Sequence, residues 1–499
     1  MTHLPVVGDD ATGVRALSQS LDTVAREGVQ PLAESMDRLD TITSGGRIDV
    51  AAAGSLQAPV AQASRAFSRA DETVGDLDSS GYAGPLRSRF DKYVDLVHEV
   101  SQSLASARIA AEVVPTMVGA DGPRDYLLVF QNNAEIRSTG GLPGAWAQVH
   151  AEDGKLNIAS QGAGSDFGRR ATPVLPLSAA EREVYGAELG TYFLDAGFTP
   201  DFPRAAQLMS ARWEERHPST ALDGVIALDP VAMSYLLDGT GPVRVGDTTL
   251  TRDTVVDQLL SEPYKTLDPD AQDALFQVAA GAIFDAATGD LASPVKFVQG
   301  LSRAAREGRF LVTAFDPDVR SALAGTRVEG ALSGDDGDTP HVDIGLNDAT
   351  QSKMSYYLRY WADVKSTGCD QGVQALSASM TVNQRITPAE AAKLPESVTG
   401  AGGYGFKRGL QLLLIRLYGP YGGSIDHLTL NGKSMGKHPH VTELEGRPVT
   451  TVFLQLDSRK DMVVSWTMHT GEGQTGDVKL GMTPSIVPGD NDSVARSAC

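Results

Sequence analysis

An arginine, Arg137, stands seven residues beyond an apolar run, Tyr126-Leu-Leu-Val-Phe130, and the chain between them is polar: Gln131, Asn132, Asn133 and Glu135. The run reads as a buried strand. Gly140-Gly141 and Pro143-Gly144 then bend the chain. Amides and a guanidinium on a glycine-rich bend suit an anion such as phosphate, because the planar fork of Arg donates two parallel charge-assisted hydrogen bonds. Further Arg and carboxylate residues gather near the ends of neighbouring elements. Asp166 lies in "SQGAGSDFGRR" with Arg169 and Arg170, Asp201 and Arg204 lie in "TPDFPRAAQ", and Asp270, Gln272 and Asp273 lie in "DPDAQDAL". Carboxylates so placed can hold Mg²⁺ or act as a base. Asp- and Arg-rich loops are also ordinary domain surface, and Asn132 and Asn133 equally suit side-chain capping of turns. The expectation is a ligand rim at 130–144, faced by Arg137, with Gly140 and Gly141 letting the backbone approach the bound group.

Other chemistries lack their motifs. No HExxH or CxxC pattern supports a zinc enzyme. No GxSxG elbow supports a serine hydrolase, and no Walker A run supports a nucleotide site of that type. The net charge of −20 argues against nucleic acid as a partner, although one small anion in a local Arg pocket remains compatible with it. The two cysteines, Cys369 and Cys499, are too far apart in sequence for a metal motif. Either they pair, tying down the C-terminus in an oxidising, extracytoplasmic compartment, or they are unrelated thiols; the pair is expected. No run of about 18 apolar residues marks a membrane span and no leader pattern is visible. An ectodomain trimmed from a membrane anchor absent from this chain is the corresponding expectation.

The elements that must position these residues fall into three stretches, as a length of 499 residues leads one to expect. Residues 1–118 read as a helical bundle or stalk: Val14, Leu17, Leu21 and Val24 mark one apolar face, and a further helix starts near Pro85. Residues 119–335 mix strands and helices, with a hairpin turning at Asp153-Gly154 and a helix opened by Asp229-Pro230, and predict an α/β domain on a mixed sheet. Residues 340–499 carry strands about ten residues apart and predict a β-sandwich. The chain is thus expected to be multidomain α+β.

Four segments, "YLLVFQNNAEIRSTGGLPGAWAQV", "KLNIASQGAGSDF", "TPDFPRAAQLMSARWEE" and "LDGVIALDPVAMSYLLDGTGPV", closely resemble an actinobacterial cell-envelope family of unknown function, whose members are typically held by one N-terminal transmembrane helix. The central domain more distantly resembles the LytR-CpsA-Psr family, which transfers glycan polymers from polyprenyl pyrophosphate to peptidoglycan. That resemblance implies Arg side chains on the pyrophosphate and an Asp with Mg²⁺. Carried onto this chain, Arg137, with Arg204 or Arg169, would hold the phosphate beside Asn132, Asn133 and Gln272. Asp166 would be the metal ligand and, with Asp201, the acid or base. A deep apolar groove beside the arginines would take the lipid. The chain departs from the pattern at Thr139, where an Asp is usual, and around Gln272, where two arginines are missing. The implied function is transfer or binding of a lipid-linked glycan or cell-wall polymer. The alternatives are a non-catalytic glycan- or protein-binding envelope protein and a glycosidase using Asp166 and Asp201.

Overall fold

The computed structural model describes residues 5–34, 43–44, 46–75, 77–401, 407–436, 439–457 and 459–499; the part of the expected helical stretch at 35–42 lies outside them. The chain is mixed α+β. Its contacts gather into two compact units: Met1–Arg124 with Ala151–Asn157 and Asp285–Val298, and Asp125–His150 with Ile158–Phe284 and Gln299–Cys499.

The first unit is built on three long helices, α1 (Pro5–Thr23), α2 (Gln57–Gly75) and α3 (Gly84–Met117). α3 starts at Pro85, whose missing N–H would have no partner in a first turn. Of the apolar face expected along α1 and just beyond it, Leu17 and Val24 pack against the helical core, but Val14 and Leu21 do not. Val14 and Leu21 are exposed, and Gly13, Ala16 and Ser20 turn inward. The reason is close approach: a Cβ on Gly13 would sit 2.7 Å from the Tyr82 ring. Large side chains do not fit such a seam. Ser20 instead meets the Tyr93 hydroxyl at 2.8 Å, and Tyr82 packs edge-on against Phe90.

β1 (Arg124–Asn132), β2 (Leu142–Glu152), β3 (Lys155–Ala163), β4 (Gly224–Leu228) and β5 (Phe310–Ala314) lie side by side in the order β3-β2-β1-β4-β5. β1 and β4 run parallel, and β5 runs antiparallel to β4. Asp153 and Gly154 both have positive φ, which is the turn Asp-Gly favours between paired strands. Five helices matter for the site: α4 (Phe202–Arg216), α5 (Pro230–Thr240), α6 (Val255–Leu260), α7 (Glu262–Thr266) and α8 (Pro269–Thr288). Asp229 caps α5 by accepting the Ala232 N–H at 2.7 Å, with Pro230 in the first turn, as the Asp-Pro pair predicts.

The remaining strands are β6 (His341–Asp348), β7 (Leu358–Asp370), β8 (Val373–Gln384), β9 (Gln411–Tyr418), β10 (Ser424–Leu430), β11 (Arg447–Leu456), β12 (Met462–His469), β13 (Val478–Met482) and β14 (Ser493–Ala495). They form one sheet ordered β11-β9-β6-β13-β14 and another ordered β7-β8-β12-β10, each extended by a short strand at one edge. Their inward side chains share one core, in which Ile344 and Ile415 of the first sheet join Met380 and Trp466 of the second. Ile136, from the polar stretch after β1, belongs to that same core. Cys369 at the end of β7 is bonded to the C-terminal Cys499, with their Cα atoms 5.0 Å apart.

A buried ionic knot lies under the first of these sheets. Arg309 has no exposed side-chain surface; it donates to Asp229 and Glu307 at 2.9 and 2.8 Å and to the carbonyls of Ser485 and Val487 at 2.7 Å. Burial raises the cost of a charged Glu307, but hydrogen bonds from Tyr235, Arg303 and Arg309 outweigh it and hold the carboxyl below its usual range.

Candidate functional site

The polar stretch after β1 is folded by its own side chains. Asn132 accepts the Ala134 N–H on Oδ1 at 3.0 Å and donates from Nδ2 to Glu135 and to the Tyr264 hydroxyl, at 3.1 and 2.7 Å. Asn133 turns the other way and donates to Asp229 at 2.9 Å. Gly140 and Gly141 serve this local folding and not a ligand: a Cβ on Gly141 would lie 2.4 Å from the Asn132 carbonyl carbon.

Beside this stretch lies a cavity of about 290 Å³. It opens where β1 and β3 end and α5 begins, at Phe130, Ala163 and Pro230. That is the carboxyl end of β1, β3 and β4, the place where open α/β sheets receive ligands. One long wall is a face of α8, where Gln272, Phe276, Ala279, Ala280 and Ile283 recur at helical spacing. Leu259, Leu260 and Tyr264 supply a second wall, and Leu142, Leu194 and Met233 close the rest. The interior is therefore mainly apolar.

Its polar end is compact. Lys353 Nζ lies 2.8 Å from Glu135 Oε1 and 5.0 Å from the centre of the Tyr264 ring. Burial, and next the nearby Glu135 charge, push the Tyr264 hydroxyl well above its usual range, so it is a neutral hydrogen-bonding group. Asp273 stands at the mouth, exposed. Its carboxyl is raised by burial first, then by the charges of Asp166 and Asp270.

The expected residues divide between this cavity and the interior. Asn132 and Gln272 line it. Asp166 is at its margin, next to Asp273 in charge, and is exposed; its Oδ2 accepts the Ala163 N–H at 2.8 Å. Arg137 is not in the lining. It is buried, donating to Asp195 at 3.1 Å and to the Asp348 carbonyl at 3.0 Å, with Phe198 under its guanidinium. The expected ligand-facing role is corrected accordingly: this arginine fastens the loop to β6. Arg204 is paired with Glu181 at 2.6 Å, and Arg169 lies over the Tyr192 ring at 3.9 Å. Arg137 and Arg169 are near enough to act together on Asp195, but each of the three arginines has its own partner in the chain and none lines the cavity. Asp201 is drawn away from Asp166 in its surroundings: its neighbours in charge are Glu445 and Glu329. Among the described residues no group of three or more His, Cys, Asp or Glu could hold a metal ion. Asp166 uses one carboxylate oxygen to accept the Ala163 N–H, and no step is derived through the implied Mg²⁺.

Sequence reasoning missed the α8 wall and Lys353. The α8 spacing was visible, but an apolar helical face reads as core whether it packs on protein or encloses a cavity. Lys353, in "TQSKMS", carries no local signal.

Asp201 has a consequence of its own. Burial, and then Glu445, raise its carboxyl to about 7. An unfolded Asp titrates near 3.9. The folded chain therefore holds this proton more tightly, and folding is penalised increasingly as pH rises between those values. Asp201→Asn is expected to melt above wild type at pH 8, by on the order of 2 kcal/mol of stability, with the gap closing by about pH 4. Thermal melts of both chains across that range check it.

A family model described as "Protein of unknown function (DUF4012)" matches residues 121–264, the stretch from β1 through α7. Comparison with curated proteins and with solved structures gives no match.

Proposed function

We propose that this is a cell-envelope protein that binds an envelope amphiphile by its apolar chain, and that it binds without transferring. The carrying observation is the cavity: apolar along α8 and α6, polar at one end, and placed at the carboxyl ends of three strands. Its volume is near the lower limit of ordinary ligand pockets, about 300 Å³. The reading draws on the resemblance of the central residues to the LytR-CpsA-Psr fold, with the helices of residues 1–118 as a stalk from a membrane anchor and residues 340–499 as a β-sandwich. The disulfide supports an oxidising, extracytoplasmic location. Binding is preferred to phosphotransfer because Arg137, Arg169 and Arg204 each have a partner in the chain and none of them lines the cavity.

Titration with straight-chain alcohols of increasing length tests the reading. Each added methylene that enters the cavity contributes about 0.8 kcal/mol. Affinity is therefore expected to rise about fourfold per carbon and then level off when the cavity is full. Phe276→Arg, which places a charge in the wall, should abolish the series. Affinity independent of chain length, or unchanged by that substitution, would remove the proposal.

A further inference from the structure

The polar end of the cavity carries information about the head group. Its charged residues are Glu135, Asp273 and Lys353. The single cation is already closed on Glu135 at 2.8 Å and seated by the Tyr264 ring. Glu135 is further held by Asn132. To serve a phosphate, Lys353 would have to leave Glu135, and a carboxylate would then face the incoming anion in a partly buried place where like charges repel strongly. Asp273 stands at the mouth with Asp166 and Asp270 close enough to act on its titration. The whole chain adds an acidic field, at a net charge of −20. Two carboxylates to one committed ammonium is the wrong balance for a phosphorylated head and the right one for a cation.

Resting on the chain-binding reading above, we propose that the cavity selects amphiphiles with a cationic, amine-bearing head, taken up between Asp273 and the Glu135–Lys353 pair, and discriminates against phosphorylated ones. The amide of Asn132 and the hydroxyl of Tyr264 lie at the same end, where they can hydrogen-bond the head's remaining polar atoms. In this arrangement Glu135 is a specificity residue in two ways: it contributes negative charge to the head site, and it keeps Lys353 from offering a positive one.

Three ligands with one chain separate the possibilities: farnesol, farnesylamine and farnesyl phosphate, titrated calorimetrically into the full chain at pH 7. The amine is expected to bind at least tenfold more tightly than the phosphate. Asp273→Asn, at an exposed position, should reduce amine affinity several-fold and leave the alcohol unchanged. Glu135→Gln should raise phosphate affinity by freeing Lys353; a thermal melt of that variant confirms that it folds. Phosphate binding as tight as amine binding in wild type, or an amine affinity indifferent to Asp273→Asn, overturns the head-group assignment while leaving the chain-binding reading standing. Binding of none of the three overturns the chain-binding reading itself.

Discussion

Arg309→Met should destabilise the protein by about 3–5 kcal/mol, the cost of leaving a buried charge without its partner. The position is unusual in how much depends on one side chain. Removing the guanidinium leaves two acids, Asp229 and Glu307, both almost wholly buried, facing an apolar replacement. It also removes the Arg309 hydrogen bonds to the carbonyls of Ser485 and Val487, the second of which keeps the Ser485 hydroxyl. Asn133 still reaches Asp229, and Tyr235 and the charged Arg303 still reach Glu307, so Asp229 is the acid that loses its counter-charge. Glu307 is held below its usual range in the native protein, so it contributes stability at neutral pH that is lost as pH falls through its folded pKa. The gap between variant and wild type should accordingly be widest near pH 7 and narrow in acid. Urea unfolding midpoints at pH 7 and pH 4.5 read both effects. Adding Asp229→Asn and Glu307→Gln to Arg309→Met should recover part of the loss, because the three groups act as one network. A change below about 1 kcal/mol at pH 7 would mean the knot is not the fastening it is taken to be.

Reducing the Cys369–Cys499 bond should cost close to 5 kcal/mol at 25 °C on the chain-entropy view, since it closes a loop of 130 residues in the unfolded chain. The folded ends keep some hold without it. Ser497 Oγ donates to the Thr475 carbonyl at 2.6 Å and the Ala498 N–H to Ser366 Oγ at 3.2 Å. The loss should therefore appear as a lower unfolding midpoint and not as a rearranged native state. Far-ultraviolet circular dichroism before melting should be unchanged by reductant or by Cys369→Ser with Cys499→Ser, while the urea midpoint falls. An unshifted midpoint would show that the denatured chain is confined by other means.

What could be read from the sequence follows the range of the interactions involved. The Asp229-Pro230 cap, the Asp153-Gly154 turn and the start of α3 at Pro85 depend on neighbours within a few residues, and each stands where local chemistry puts it. Arg137 depends on Asp195 and Asp348, far along the chain, so its type announced a charge without saying where the charge would be spent. β6 was not expected as a strand, although Val342, Ile344 and Leu346 alternate along it and fill the core; its other face is polar and is paired as well. Asn347 meets Ser138 at 2.7 Å, Asp343 meets Arg447 at 2.6 Å, and Asp348 accepts from Gln411 at 2.8 Å. The alternation was short and followed an acidic loop, and the partners of its polar face lie far along the chain. At the candidate site, Asn132 and Gln272 stood out by type, whereas Phe276, Ala280 and Ile283 looked like ordinary core.

The stretch that carries Ile136, Arg137 and Ser138 has a consequence for how such chains can be inherited. Ile136 fills the core between the two later sheets, Arg137 grips the Asp348 carbonyl, and the Ser138 N–H is bonded to Asn347. The matched residues 121–264 are therefore not a freely transferable module. Recombination that moved them into another protein without β6 and its sheet would expose an isoleucine and leave Arg137 with Asp195 but without the Asp348 carbonyl. Any lineage that keeps this stretch must keep the later sheets with it or supply a substitute cover for Ile136, so the two parts are expected to travel through evolution as one gene segment.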